Sequence, residues 1–386
     1  MKEFKPLVIG IDATNLRRGG GVTHLVELLL ATQPKLHYID HIIVWGSTST
    51  LQLLVDRNWL TKITPSALNR GLFHCTLWQI FCLSQAARDA RCDVLLVPGG
   101  SYVGDFHPVV NMSQNLLPFE VNELLRYGWS LLTIKLLLLR LIQTLSFKNA
   151  DGVIFLTHYA RDAVLRVTGK LRGKICIVPH GLNSRFINSP KVQRSIAEYG
   201  DTNSYRVLYV SIIDQYKHQW NVVTAVAALR KKGFPIVLDL VGPAYPASLK
   251  RLNEAITRLD ADQQWAHYHG SIPYDKLHNY YAAADLGLFA SSCENMPNIL
   301  LENMASGLPI ACSSRGPMPE LLVNGGVFFN PEDPSDIACA LQQIIESPEL
   351  RTKLSQISNQ LSRKYSWPRC AADTFMFLTA VAVNEE

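Results

Sequence analysis

Apolar residues fall along this chain in short runs, separated by longer stretches with helical periodicity. Leu7-Val-Ile-Gly-Ile-Asp-Ala13 is a near-continuous apolar run, the pattern of a strand covered on both faces. Runs at His41–Trp45, Asp93–Val97, Val109–Met112, Val153–Leu156 and Ile175–Val178 predict further strands. Val22–Leu30, Thr76–Ala90 and Tyr159–Val167 between them predict helices. From Asn183 to Tyr205 the alternation lapses into Asn, Ser, Pro, Lys, Asp and Gly, which reads as a connector. A second alternation then begins. Strands are expected at Arg206–Ser211, Ile236–Val241, Trp265–His269, Asp285–Phe289, Leu308–Cys312 and Val327–Phe329. Helices are expected at Trp220–Lys231, Ala247–Arg258, Tyr274–Ala283, Asn298–Ala305, Pro334–Glu346 and Glu349–Lys364. Alternating strands and helices imply an α/β fold with parallel sheets. The expected domains are therefore two doubly wound, Rossmann-like halves at 1–184 and 206–365, joined by 185–205. A last helix over 366–386 could cross back to the first domain.

In open α/β sheets ligands bind at the carboxyl ends of the strands. Three loops occupy that rim: Gly19-Gly-Gly21, the loop after Ser211, and the turn Ala290–Gly307. In the last of these Pro297 suits the first helical position, where a missing N–H costs nothing. The free amides of such a helix start favour an anion such as phosphate. Glu294 and Glu302 flank the turn with seven residues between them. Each carboxylate oxygen can accept from a sugar hydroxyl. The turn therefore suits a nucleotide sugar; the competing reading is a strand–turn–helix unit whose acids are merely solvated. The glycine loop does not form G-x-G-x-x-G, so a dinucleotide fingerprint is not met.

Composition narrows the classes. A chain of 386 residues with 48% hydrophobic residues fills two domain cores. The formal charge of +5 is mild, and no basic run interleaved with aromatics calls for nucleic acid. The eight cysteines include no C-x-x-C pair, so neither zinc nor a redox pair is expected. Met1-Lys-Glu-Phe-Lys-Pro leads directly into a strand rather than a signal peptide, and a cytoplasmic location is expected. Asp260-Ala-Asp262 resembles a metal-binding D-x-D but sits in a polar loop before a strand, and reads as surface charge. No cluster has metal-ligand spacing, so a metal-independent protein without a cofactor is expected. No G-x-S-x-G is present, and the phosphate-friendly turn speaks against a glycosidase use of the two acids.

The most apolar stretch is 126–143. Lys135 and Arg140 interrupt it, which argues against a spanning helix. Trp129 and the basic residues fit an interfacial helix on the inner membrane face; a helix packed against the first sheet fits equally.

The motifs together resemble glycosyltransferase family 4, the retaining family of GT-B fold. In the second half they are Tyr209-Val-Ser-Ile-Ile-Asp-Gln-Tyr-Lys-His-Gln219, Val241-Gly-Pro243, His269-Gly-Ser-Ile-Pro273, Tyr281-Ala-Ala-Ala-Asp285, the Glu294/Glu302 pair and Gly307-Leu-Pro-Ile310. The first half adds Gly19-Gly-Gly21, Asn115-Leu-Leu-Pro-Phe119 and Val178-Pro-His-Gly181. Tyr216-Lys-His-Gln219 and Asn115–Phe119 look like members that build bacterial surface polysaccharides.

The resemblance implies two Rossmann-like domains facing a central cleft. It implies transfer of a hexose or deoxyhexose from a nucleoside diphosphate sugar, GDP-mannose or a UDP-sugar, to a growing and lipid-linked glycan. It places Glu302 on the ribose hydroxyls, Glu294 on the donor sugar and Lys217 on the diphosphate, with Lys217 and Glu294 as the catalytic pair. Gly20, Gly21, Ser211, Met296, Pro297, Asn298 and Ile299 complete the donor set. On the acceptor or sugar side stand His24, Gln114, Asn115 and His180; for His24 a helix-start packing role competes. Two family features are missing. Val210 and Ser211 stand where many members have a glycine and an arginine, for which Arg161, Lys148 and His218 are the candidate substitutes. Ser113-Gln114-Asn115 stands where many have a histidine. A nucleotide-sugar 2-epimerase of the same fold and a non-catalytic partner subunit remain open as alternatives.

Overall fold

The computed structural model describes residues 6–17 and 19–383. The chain divides into two compact units, Met1–Gly181 together with Tyr365–Glu386, and Leu182–Lys364.

The first unit is built on seven strands: β1 (Leu7–Ala13), β2 (Ile39–Gly46), β3 (Leu60–Ile63), β4 (Val94–Val97), β5 (Val109–Ser113), β6 (Gly152–Phe155) and β7 (Lys174–Ile177). All their pairings are parallel, in the order β3-β2-β1-β4-β5-β6-β7. The edge strand β3 escaped the sequence reading, because Leu60-Thr-Lys-Ile63 is short and half polar. Thr76–Ala90, expected as one helix, is two, Leu72–Phe81 and Leu83–Asp89, parted at Cys82. The last helix, Trp367–Ala382, is capped by Ser366 and belongs to this unit. Its start lies so close to Gly181 that a Cβ there would meet the Trp367 amide nitrogen at 2.3 Å. Only glycine lets the two segments touch.

The second unit carries β8 (Tyr205–Val210), β9 (Ile236–Val241), β10 (Ala266–Tyr268), β11 (Leu286–Phe289), β12 (Ile310–Ser313) and β13 (Val327–Phe329). They too are all parallel, in the order β10-β9-β8-β11-β12-β13. That is the doubly wound order 3-2-1-4-5-6, whose switch point lies between its first and fourth strands, here β8 and β11. Gly287 in β11 admits the Asn303 side chain of the helix Asn298–Ala305, since a Cβ would sit 2.2 Å from Asn303 Oδ1.

The 185–205 stretch, expected as a connector, is bound along the second unit. The buried Arg351 guanidinium donates to Gln193 Oε1 at 3.0 Å and to the carbonyl of Arg194. Lys191 Nζ donates to the Ala284 carbonyl at 2.7 Å, and Tyr199 to Asp285 at 3.2 Å. These polar contacts carry no hydrophobic periodicity, so the sequence pattern gave no sign of them. Asp260, expected as surface charge, is buried: its carboxylate accepts from the amides of Gln264, Trp265 and Ala266 and sets the turn into β10. Asp262 is exposed.

Candidate active site

The site of the second unit forms at the β8/β11 switch. After β8, Ser211 is buried and its hydroxyl accepts from Gln219 Nε2 at 2.8 Å. Asp214 then caps a single 3-10 turn, Gln215–Lys217. His218 follows in the left-handed region (φ 53°), and its Nε2 lies 2.9 Å from Ser292 Oγ. The His218 side chain is buried by this contact. The Ser292 amide donates to the Tyr216 carbonyl at 2.8 Å, so the loops after β8 and β11 are stitched together.

Lys217 is buried within this frame. Its carbonyl accepts from Tyr209 Oη at 2.8 Å, and its Nζ lies 4.9 Å from the Tyr216 ring centre and 5.3 Å from that of Phe289. Its charge partner is Glu294, joined to it in an ion pair. Two candidates 77 residues apart in sequence thus meet directly.

The helix Asn298–Ala305 has the bounds expected of it, but Pro297 is its cap (φ −81°, ψ 100°) rather than its first helical residue. Proline serves there because a cap carbonyl starts the ladder, and Leu300 and Leu301 both donate to the Pro297 carbonyl. The amides of Asn298 and Ile299 lie at the open end of that ladder. Met296 is buried beside the turn. Glu302 lies one turn into the helix and is only 2% exposed. It is not a solvated acid. Its Oε2 accepts from Tyr281 at 2.9 Å and its Oε1 from Tyr274 at 3.2 Å. Burial pushes its carboxyl up from 4.5 to about 7, against the opposing pull of both phenols and Arg185. Arg185 stands over the Tyr274 ring at 5.2 Å. Tyr274 and Arg185 were missed, since neither shares a motif or a period with Glu302. Tyr281 lay in a recognised motif, with nothing to mark its hydroxyl as a partner.

In the first unit the loop Gly19–Gly21 enters the helix Gly20–Ala31, with Gly19 at φ 77°. A Cβ on Gly20 would meet nothing within 4 Å, whereas one on Gly21 would lie 3.0 Å from Gln114 Oε1. Gln114 Nε2 in turn lies 3.2 Å from His24 Nδ1. The His24 ring stands edge-on to His180 at 4.7 Å and packs 5.8 Å from Trp367. Burial pulls His24 down from 6.5 to about 4, and His180 well below its ordinary value. Gly21, His24, Gln114 and His180 therefore form one neutral cluster, and the packing role for His24 is realised. Asn115 stands apart: it is exposed, and its Oδ1 accepts from the Leu117 amide at 3.1 Å in a local turn. A buried acid went unnoticed in sequence. Asp12, near the carboxyl end of β1, accepts from Thr14 N at 3.0 Å and from Gln79 Nε2, and burial raises its pKa.

Of the three stand-ins for the missing arginine, Arg161 pairs with Asp162 in the first unit, and Lys148 is exposed there. His218, beside Lys217, is the one in the second unit's site. Among the described residues no group of three or more His, Cys, Asp or Glu side chains could hold a metal ion. No helix among them is long and apolar enough to cross a membrane.

Comparison with known proteins fits this geometry. Residues 193–360 match the model for "Glycosyl transferases group 1". The O-antigen chain mannosyltransferase B of Escherichia coli is 24% identical over 238 residues, 61% of this chain and 59% of that protein. The chain thus spans less than two thirds of the length of this relative. Sucrose-phosphate synthase from Thermosynechococcus elongatus superposes with a TM-score of 0.76 at 17% identity, covering 95% of this chain and 97% of that one. HepE of Anabaena, in complex with UDP and glucose, gives 0.71 at 18% identity, with 98% and 100% covered. The fold is GT-B, and within the Leu182–Lys364 unit residues 193–360 are similar to the group 1 glycosyl transferases.

Proposed function

We propose that the protein is a retaining glycosyltransferase. It moves a hexose or deoxyhexose from a nucleoside diphosphate sugar to a growing, lipid-linked glycan of a surface polysaccharide, at the inner face of the membrane. The observation that carries the reading is the buried Lys217–Glu294 ion pair at the β8/β11 switch point, beside the open start of the helix that holds Glu302. The relative named for O-antigen mannose transfer supports a polysaccharide role and GDP-mannose as donor. The neighbour solved with UDP and glucose supports a UDP-sugar equally.

In this reading Glu302 accepts both ribose hydroxyls, which requires the ionised carboxylate, while Tyr281 and Tyr274 hold it in place. Ser211 offers a small side chain, so that backbone of the second unit can approach the donor. The amides of Asn298 and Ile299 face the sugar and phosphates. Lys217 carries the mechanism. As the glycosidic bond breaks, negative charge grows on the leaving diphosphate, and a cation already fixed by packing stabilises it without reorganisation. Because that cation is part of the protein, the reaction is proposed to need no metal or cofactor. Glu294, relieved of part of its bond to Lys217 by the phosphates, turns to a hydroxyl of the donor sugar. With no separate nucleophile assigned, the acceptor enters on the face the diphosphate leaves, and a phosphate oxygen takes its proton.

A radiolabelled donor incubated with and without glycan acceptor tests the reading, with the product anomer read by NMR. Acceptor-dependent transfer with retained configuration is expected. Epimerised donor formed without acceptor would replace the reading with a 2-epimerase, and donor binding without turnover on any acceptor would replace it with a non-catalytic subunit.

A further inference from the structure

Two helices of the first unit turn apolar side chains to solvent on the same side of its sheet. Seven of the ten residues of Leu72–Phe81 are apolar, yet only Cys75 and Gln79 are buried. Phe73 and Phe81 are 71% and 75% exposed, and Leu72 and Leu77 lie exposed beside them. Leu131–Asn149 exposes Leu131, Ile134, Leu138, Leu141 and Leu145, at spacings of three and four that form one stripe. Trp129 stands fully exposed just before it. Both helices cover one sheet face: Cys75, Leu83 and Ala87 share a core with Phe147, Trp45, Leu95 and Val97. Their outer sides therefore look away from the sheet in the same direction. Exposed apolar area on this scale marks an interaction surface.

Charge selects the partner. No acid occurs from Arg57 to Arg88 or from Arg126 to Ala150. Those segments carry Arg57, Lys62, Arg70 and Arg88, then Arg126, Lys135, Arg140 and Lys148. Arg57, Arg70, Lys135 and Lys148 are exposed. Lys62, Arg88 and Arg126 pair with Asp56, Asp105 and Glu123, and Arg57, Arg70, Lys135, Arg140 and Lys148 remain as an excess of cations, which complements a surface with an apolar interior and an anionic skin. Lys135 and Arg140 are long enough to reach headgroups while Leu137 and Leu138 between them enter the acyl boundary. A second copy of the chain would meet the same cations and be repelled.

We infer that the helices Leu72–Phe81 and Leu131–Asn149 form one two-helix docking surface for an anionic lipid bilayer. The reading of 126–143 as interfacial supplies half of it; Phe73, Leu77 and Phe81 supply a second contact that fixes the orientation of the unit on the membrane. One amphipathic element binds a bilayer weakly and reversibly, and two together make the attachment stable. The inference rests on the proposed lipid-linked acceptor only for its purpose, not for its physical basis.

The experiment is flotation of the full chain with vesicles of phosphatidylcholine alone or mixed with phosphatidylglycerol. Wild type is expected to float with the mixed vesicles only. Phe73→Glu with Phe81→Glu, and separately Ile134→Glu with Leu141→Glu, should each cut the bound fraction about tenfold. The sites are exposed, so both variants should keep the wild-type melting profile and monitor docking rather than folding. Failure of wild type to float, or flotation unchanged by the Phe73/Phe81 pair, overturns the inference. So does light scattering that shows a wild-type dimer made monomeric by those pairs, for then a second copy covers the face. A chain that floats yet binds no nucleotide sugar would sink the proposed reaction and leave this surface standing.

Discussion

Tyr281 donates a 2.9 Å hydrogen bond to Glu302 inside the second unit, and the acid it holds is 2% exposed. A carboxylate so enclosed resists ionisation, and its two phenol bonds offset only part of that cost. The same acid is proposed to accept ribose hydroxyls, so its protonation couples to donor binding. Its folded value of about 7 lies above the ordinary 4.5, so the native state holds the proton longer than the unfolded chain. Its contribution to folding stability is fully present below 4.5 and is lost as pH rises through about 7. Measured against Glu302→Gln, wild type should lose about 3 kcal/mol across that window. Donor affinity should move the opposite way and strengthen as pH rises through 7. Tyr281→Phe removes a bond to the charged form, so it should shift that midpoint upward and weaken donor binding about tenfold at neutral pH. Calorimetric titration from pH 6 to 8 reads both effects; a pH-independent affinity contradicts the assignment.

Lys217 and Glu294 are both nearly out of solvent, so removing one strands the other. Lys217→Met should cost about 3 kcal/mol of stability in urea unfolding. Adding Glu294→Gln should restore most of that loss, because no buried charge is then left alone. Turnover should follow a different course. Loss of the cation should lower single-turnover rates by about two to three orders of magnitude, and the second substitution should not recover them. Recovery of rate along with stability would show that Lys217 serves the fold alone.

His24 is neutral in the folded unit, at about 4 against an ordinary 6.5. The unfolded chain takes up the proton first on acidification. Stability due to His24 is therefore present above 6.5 and is lost as pH falls toward 4. His180, lowered in the same direction, adds to the slope. Between pH 6.5 and 4.5, wild type should lose about 1 kcal/mol per pH unit through His24, and His24→Gln should remove that share. Urea midpoints for both proteins at three pH values check this; parallel slopes contradict it.

The fold was legible where periodicity is strong. Leu7–Ala13 and Ile236–Val241 are buried on both faces and show as apolar runs interrupted only by Asp12 and Asp239, so their bounds came out unchanged. Pattern failed where structure rests on polar contacts. β3 is a half-polar edge, Asp260 acts through backbone amides, and 185–205 is held by the guanidinium of Arg351, remote in sequence. The site divides in the same way. Spacing identified Glu294 and Glu302, because strand, turn and helix are local. Their environments were not legible. That Glu294 meets a lysine and Glu302 meets two phenols depends on which strands lie side by side at the β8/β11 switch. The histidine cluster likewise needs three segments, at His24, Gln114 and His180, brought together by the first sheet.

The central claim is that the second unit binds a nucleoside diphosphate sugar through Glu302. A thermal-shift screen of wild type and Glu302→Ala over UDP-, GDP- and other nucleoside diphosphate sugars tests it most directly, since a ligand that binds only the folded chain raises its melting temperature. The account predicts that sugars of one base raise the wild-type transition and leave Glu302→Ala unmoved. Equal shifts in both proteins, or no shift with any donor, would contradict it.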